Sequence, residues 1–385
     1  MTGSRRVLQI HNRYRHAGGE DSVVELEREL LRSHGHEVEV FERTNPRGAG
    51  QTAAALLTAA WNPAVVSSLK DLIAFTKPSV AHAHNTWFAI SPAALAATHR
   101  AGLPTVLTIH NYRLSCINGQ LLRDGQPCTI CVGTHPWAGV RYRCYRDSAL
   151  ASSSAAWTLA LNRLLGTWRQ HVDVFLALTD FMRDTLIATG IPGERIVQLP
   201  NFTSDPGPRS NPPSHSNTVL FIGRLSPEKG LEQLVDSWIR SAPKDFCLVV
   251  VGDGPLASLV AGQEQHGIEY RGRLSQSEVR ALMLGARALA VPSIWYEGQP
   301  MVVLEAMSAG LGVVVSDLGG LPETVGAGGI SVPLWADFSF EDLGDVDSLG
   351  RAARDRWSDL FTPTRHLEGL LAAYEQAAYW HNRRP

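Results

Sequence analysis

The sequence predicts an α/β protein made of two doubly wound, Rossmann-like domains of parallel sheet, the first carrying a cysteine-rich insert. Three observations carry that expectation. Short apolar runs alternate with amphipathic stretches of helical period in both halves of the chain, which is the pattern of repeated strand, helix, strand units. A polar, proline-rich stretch, residues 201–217, separates the halves. The length, 385 residues, suits two domains.

Composition narrows the function classes. Hydrophobic residues make up 44% and charged residues 19%, ordinary values for a chain that buries large cores. The formal net charge of -2 argues against a nucleic-acid binder working by bulk electrostatics. No apolar run reaches about 18 residues, and MTGSRRVLQI leads directly into a strand. Neither a membrane span nor a signal peptide is expected, and the expected location is cytoplasmic.

In the first half, Val7 to Ile10 reads as a buried strand, followed by a polar loop from Asn12 to Gly19. A helix then carries apolar Val23, Leu26, Leu30 and Leu31 until Gly35, and Val38 and Val40 begin a second strand. Gly18 and Gly19 would let backbone approach a ligand ahead of that helix, although a Gly-Gly pair is often only a turn. Residues 51–76 read as helical; core packing suits their alanines and leucines better than contact with a membrane surface. Ser79 to His84 and Pro104 to His110 read as strands with polar tips. Ligands bind beyond the carboxyl ends of such strands, which gives weight to His84 and His110. A lone histidine is more often structural, and His84 carries less of the argument than His110.

An irregular segment, residues 112–146, follows His110 and holds Cys116, Cys128, Cys131 and Cys144. Their spacing is C-x11-C-x2-C-x12-C. Four thiolates suit a closed tetrahedral zinc site; free or redox-active thiols and disulfides are the alternatives. Arg113, Asn118, Arg123, Arg141 and Arg143 lie in the same segment, and Cys247, in an apolar strand, reads as core.

In the second half, Thr218 to Ile222 is a strand and Leu231, Leu234, Val235, Trp238 and Ile239 mark a helix. Between them, Arg224 and Lys229 place two cations in a strand-to-helix loop, where they suit a diphosphate or are simply solvated. Strand Leu248 to Val251, the turn Gly252-Asp253-Gly254-Pro255 and strand Ala288 to Val291 follow. Trp295 to Val315 then opens a helix in whose first turn Pro300 is expected. Val303, Ala306, Met307 and Gly310 form its packing stripe, so Glu305 projects from the other side. Glu297 lies in the loop ahead of the N–H groups of Met301 and Val302, which with the helix dipole make an anion site.

The motifs Gly223-Arg224 through Lys229-Gly230, Val251-Gly252-Asp253-Gly254-Pro255, and Glu297 seven residues before Glu305 recur as an ordered set. With Gly18-Gly19, His34-Gly35-His36-Glu37-Val38 and Val197 to Asn201, the chain resembles the retaining glycosyltransferases of family 4, which have the GT-B fold. The resemblance implies two domains facing across a cleft: 1–200 on the acceptor side, the linker 201–217, a nucleotide-sugar-binding domain 218–361, and a C-terminal helix, 362–385, crossing back. It implies a nucleotide-diphosphate sugar donor, UDP- or GDP-linked, and a glycan, lipid-linked or small-molecule acceptor. It places Arg224, Lys229, Gly18, Gly19, Met301 and Val302 on the diphosphate, Glu305 on the ribose, and Glu297 and His110 at the transferred sugar. Arg13, His84 and Asn111 are the acceptor-side candidates.

The expected activity is a retaining, hexosyltransferase-like transfer, of the kind used in polysaccharide biosynthesis, with peripheral contact at the inner membrane face as an added expectation. No Asp-x-Asp motif accompanies the set, so catalysis is expected to need no cofactor or divalent ion. The chain departs from many relatives at Gly310-Leu311-Gly312 and Gln299-Pro300. The competing readings are a nucleotide-sugar epimerase on the same fold and an inactive sugar-nucleotide-binding protein.

Overall fold

A computed structural model describes residues 3–14, 18–46 and 48–383. Two compact units divide the chain: Met1–Arg123, Cys128–Leu199 and Leu367–Pro385 form the first, Asp124–Pro127 and Pro200–His366 the second.

The first unit is built on β1 (Arg6–Arg13), β2 (Glu37–Thr44), β3 (Val80–Asn85) and β4 (Thr105–Ile109). A two-stranded ribbon, β5 (Leu122–Arg123) with β6 (Gln126–Pro127), lies in the cysteine segment, and β7 (Val174–Ala177) and β8 (Ile196–Gln198) complete the sheet. Its order is β2-β1-β3-β4-β7-β8, and every pairing is parallel. Val7, Leu8 and Ile10 are wholly buried, as near-continuous apolar strands covered on both faces should be.

Two readings of the first half change. Residues 51–76 are two helices, Ala49–Leu57 and Pro63–Thr76, because Asn62 accepts from the Val65 N–H and Pro63 starts a fresh helix. On helix Gly19–Ser33, Leu26 is only half-buried, while Glu27 is 1% exposed. Helix Ala149–Leu164 leaves Leu150, Trp157 and Leu164, spaced by seven, at 82%, 56% and 84% exposure. No helix among the described residues is long and apolar enough to cross a membrane.

The second unit holds β9 (Thr218–Ile222), β10 (Cys247–Val251), β11 (Ile268–Tyr270), β12 (Ala288–Val291), β13 (Val313–Ser316) and β14 (Gly329–Val332). They form a sheet of order β11-β10-β9-β12-β13-β14, again parallel throughout. Helix Leu231–Ser241 buries Leu231, Leu234, Val235 and Trp238, but Ile239 faces out. Residues 201–217 pack within this unit. The Arg209 guanidinium donates to the Met283, Ala286 and Ala309 carbonyls, closing the ends of helices Gln276–Gly285 and Met301–Ser308.

Candidate functional site

In the second unit, the loops beyond β9, β10 and β12 are knitted by backbone. Leu225 N–H bonds the Asp253 carbonyl, and Ile294 N–H bonds the Glu228 carbonyl. Gly230 has a φ of 71°, and a Cβ there would sit 1.8 Å from the Pro292 carbonyl oxygen. Only glycine fits. A Cβ on Gly252, at a φ of 142°, would meet the Gly223 oxygen at the same distance. These contacts explain why the motif glycines occupy those positions.

The carboxylate of Glu297 is the centre of this rim. Its Oε1 accepts from Lys229 Nζ at 2.7 Å, Ser293 Oγ at 2.7 Å and Trp295 Nε1 at 3.0 Å. Two residues that the sequence assigns to different parts of a ligand thus form one ion pair. Arg224 is exposed and makes no ion pair among the described residues. Pro300 is the N-cap of helix Met301–Ser308, one position ahead of the expected first turn, and no side chain caps that start. The first N–H groups, on Met301 and Val302, lack intrahelical acceptors. Glu305 leaves the buried face of this helix and lines a small cavity with Gln276, Val279 and Arg280. Burial holds its carboxyl above the usual range, against the pull of Arg280.

The sequence does contain one Asp-x-Asp, Asp345-Val346-Asp347. It caps a helix: Asp345 accepts from the Asp347 and Ser348 N–H groups, and Asp347 holds Ser214.

In the first unit, His84 ends up in β3 and His110 follows β4. His84 Nδ1 is 3.1 Å from His110 Nε2, and His84 Nε2 is 3.2 Å from Glu27 Oε1. The Glu27 contact is an electrostatic proximity, and in the His84–His110 bond one ring nitrogen donates to the other according to the tautomer. Burial, then His82 beside it, pushes His84 down to about 4, and burial and His84 push His110 well below its ordinary value. Both rings are neutral at pH 7. His82 is fixed below them by Glu27 and Tyr374 at 3.0 Å and Thr108 at 2.7 Å. A cavity of about 60 Å³, lined by His84, His110, Trp87, Arg113, Leu159 and Trp168, adjoins the pair.

A second network lies at the same strand tips. Tyr14 donates to Glu20 at 3.1 Å, and Asn111 Nδ2 donates to both at 3.3 Å. Burial opposes the Arg113 charge, but Tyr14, Tyr145 and Glu20 raise its pKa overall. Gly18 and Gly19 are exposed, and a Cβ on Gly18 would meet nothing. Arg13, an acceptor-side candidate, is held by acids of its own unit. Its guanidinium is committed to Glu42 at 2.9 Å and Glu25 at 3.1 Å. Arg15 to Ala17, in the loop between, lie outside the described residues.

The cysteine segment folds on itself. Cys116 N–H bonds the Tyr112 carbonyl, Cys128 N–H that of Leu121 and Cys144 N–H that of Gly139. Gly139 also packs against Ile117, where a Cβ would come within 2.5 Å. All four thiols are free of disulfides. Burial and the charges of Cys116, Cys131 and Cys128 push Cys144 up to about 11. Among the described residues no three of the four sulfurs lie within 4.8 Å of one another.

Sequence reasoning missed Glu27, Glu20, Tyr14 and Ser293. Glu27 had a signal, since it falls on the stripe Val23, Leu30, Leu31 at i+4 from Val23, where an acid is out of pattern. Ser293 and Tyr14 had none beyond proximity to strand ends.

Residues 16–204 match the family model described as Glycosyltransferase Family 4, and residues 216–341 the model Glycosyl transferases group 1. The chain is 29% identical over 363 residues to 2-deoxystreptamine N-acetyl-D-glucosaminyltransferase of Streptomyces fradiae, covering 90% of this chain and 78% of that one. It is 27% identical over 237 residues to 2-deoxystreptamine glucosyltransferase of Streptomyces kanamyceticus, covering 60% and 57%. With alpha-maltose-1-phosphate synthase of Mycolicibacterium smegmatis it shares 28% over 185 residues, covering 41% and 47%. The last two matches span about half of those relatives. Among solved structures, sucrose-phosphate synthase of Thermosynechococcus elongatus superposes with a TM-score of 0.67 at 16% identity, covering 97% of this chain and 98% of that one. HepE of Anabaena, solved with UDP, superposes at 0.63 and 17%, covering 96% and 99%. At such identities the likeness shows the fold.

Proposed function

The chain belongs to the group 1, family 4 glycosyltransferases with the GT-B fold, and from that premise we propose that it transfers a sugar, with retention, from a nucleotide-diphosphate sugar to a hydroxyl of a glycan, lipid-linked or small-molecule acceptor. The observation that carries this reading is the rim of the second unit. An uncapped helix start, an Arg224 that makes no ion pair among the described residues and the Lys229–Glu297 pair stand on adjoining loops. Cations and N–H dipoles fixed before reaction stabilise the charge that develops on a departing diphosphate. Arg224, Lys229 and the N–H groups of Met301 and Val302 take that part, with Gly18 and Gly19 giving backbone room in the first unit.

Glu305 accepts from the two vicinal ribose hydroxyls, and Glu297 from hydroxyls of the donor sugar. His110, a neutral imidazole, hydrogen-bonds a hydroxyl of the transferred sugar. The bond from the anomeric carbon to the diphosphate oxygen breaks, the acceptor oxygen bonds that carbon on the same face, and its proton passes to the departing phosphate oxygen. No divalent ion is needed for this step. UDP or GDP is the expected leaving group; HepE, solved with UDP and with UDP-glucose, supports the first.

The test is transfer and donor hydrolysis by wild type, Arg224→Ala and Glu297→Ala. Loss of a hundredfold or more in both variants is expected; full activity in both overturns the site. Conversion of the free donor without any acceptor would identify an epimerase instead, and tight donor binding without turnover on a broad acceptor panel an inactive binder.

Cys116, Cys128, Cys131 and Cys144 are assigned a structural zinc ion on their four-thiolate donor set, and its binding draws the sulfurs closer than they stand in this structure. Less than half an equivalent of zinc after metal-replete growth overturns that assignment. Peripheral membrane contact is assigned to Leu150, Trp157 and Leu164, whose exposed stripe suits the interface of a bilayer. Sedimentation with anionic vesicles, lost in Trp157→Glu, checks it; equal sedimentation refutes it.

A further inference from the structure

At the amino ends of the first unit's strands, far along the chain from the motifs above, two histidines converge on one buried carboxylate, with a third histidine ring beside them. Asp173, just ahead of β7, is wholly buried. His99 lies in the last turn of helix Ala93–Arg100, His171 ends helix Thr167–His171, and His381 ends helix Pro363–His381. Ligand atoms of His99, Asp173 and His381 all lie within 4.8 Å of one another. The His99 ring centroid is 5.3 Å from that of His171 and 5.0 Å from that of His381.

Several features favour a cation here. Helix C-termini carry partial negative charge, and a buried carboxylate adds a full one. His381 Nδ1 stands 3.3 Å from Asp173 Oδ2. Tetrahedral coordination with bonds of about 2.0–2.1 Å sets neighbouring ligand atoms roughly 3.3 Å apart. Asp173 Oδ2 also accepts the Thr105 N–H at 2.8 Å, the kind of outer bond that orients a ligating carboxylate. The histidines are half-buried, so an ion has a way in.

We propose that His99, Asp173 and His381, with His171 beside them, form a binding site for zinc or a similar borderline divalent metal that fastens the end of the C-terminal helix to the first sheet. This site is independent of sugar transfer. Neutral imidazoles and a carboxylate are the donor set such metals take, and no thiolate takes part.

The experiment titrates untagged, metal-stripped full-length protein with cobalt(II), whose thiolate complexes show sulfur-to-metal charge-transfer absorption and whose imidazole and carboxylate complexes do not. Wild type should bind an equivalent of cobalt with ligand-field bands and no charge transfer, displaced by zinc and accompanied by a rise in melting temperature. His381→Ala and, separately, His99→Gln should each weaken that equivalent by at least about tenfold. Any thiolate-bound cobalt should be unaffected. Circular dichroism confirms that each variant is folded; if one is not, the other decides. Unchanged thiolate-free cobalt binding in the folded variants, or none in wild type, overturns the site.

Discussion

Replacing Glu20 by Gln should stabilise the first unit, by an amount that grows as pH rises from 4.5 and levels off above 7. Burial pushes the Glu20 carboxyl from 4.5 up to about 7, against the pull of His11 and Tyr14. Its side chain is 9% exposed, so solvent screens little of this. Between pH 4.5 and 7 the folded state therefore holds the proton more tightly than the unfolded chain. The stability this contributes is complete below pH 4.5 and is lost as pH rises through 7. A rise of about two and a half pH units, at roughly 1.4 kcal/mol each, amounts to about 3.5 kcal/mol at most. Gln keeps an oxygen for the Tyr14 hydroxyl and the Asn111 amide, so the variant should gain about 2–3 kcal/mol at pH 8.5 and almost nothing at pH 4.5.

His84 works in the opposite sense. Its folded pKa of about 4 lies below the unfolded value of 6.5, so the unfolded chain is protonated first as pH falls. Stability then declines from pH 6.5 toward 4. In wild type the two slopes oppose each other; in Glu20→Gln the acid-side decline stands alone. Urea unfolding read by pulsed hydrogen exchange of peptides from helix Gly19–Ser33 reports this unit specifically. A variant no more stable than wild type at pH 8.5, or a difference that ignores pH, would refute the reasoning.

Gly230→Ala should cost the second unit more than about 3 kcal/mol, because a left-handed backbone and a carbonyl contact must both be relieved; a wild-type melting profile by calorimetry would contradict it. Lys229→Ala strands the buried Glu297 carboxylate and should cost about 3 kcal/mol, most of it recovered in Lys229→Met with Glu297→Gln. Additive urea data would show that the pair is not coupled. Glu305→Ala should weaken nucleoside diphosphate binding roughly tenfold or more by calorimetry through loss of charged hydrogen bonds to ribose, and an unchanged Kd would remove Glu305 from the site.

What was legible followed period and punctuation. The apolar runs of Val219 to Phe221 and Leu248 to Val251 read directly as covered parallel strands, since burial on both faces leaves no polar alternation to mislead. Gly230 and Gly252 stood out because no other residue tolerates their backbone. Glu27 was lost for the opposite reason: one acid on a helix registers as a surface group until the strand that delivers His82 and His84 is laid against it. Arg13 shows the same limit. Its neighbours Glu25 and Glu42 come from elements apart in sequence, so its partners were invisible. The break at Asn62-Pro63 carries its own local signal, a capping side chain followed by a proline at a helix start. Tyr14, Glu20 and Asn111 meet only because β1 and β4 end at one rim, which is a matter of register.

The Lys229–Glu297 pair makes the rim less positive than its residue content suggests. On the reading proposed above, a diphosphate arriving at Lys229 exchanges one counter-ion for another, and Arg224, which makes no ion pair among the described residues, meets it as uncommitted charge. On the same reading the Glu297 carboxylate keeps Ser293 and Trp295 and takes sugar hydroxyls in place of Lys229. A nucleotide that has lost its sugar has none to offer. Held as proposed above, the intact donor is thus retained in preference to inorganic phosphate and to its own by-product, and the return of Lys229 to Glu297 helps to expel the latter.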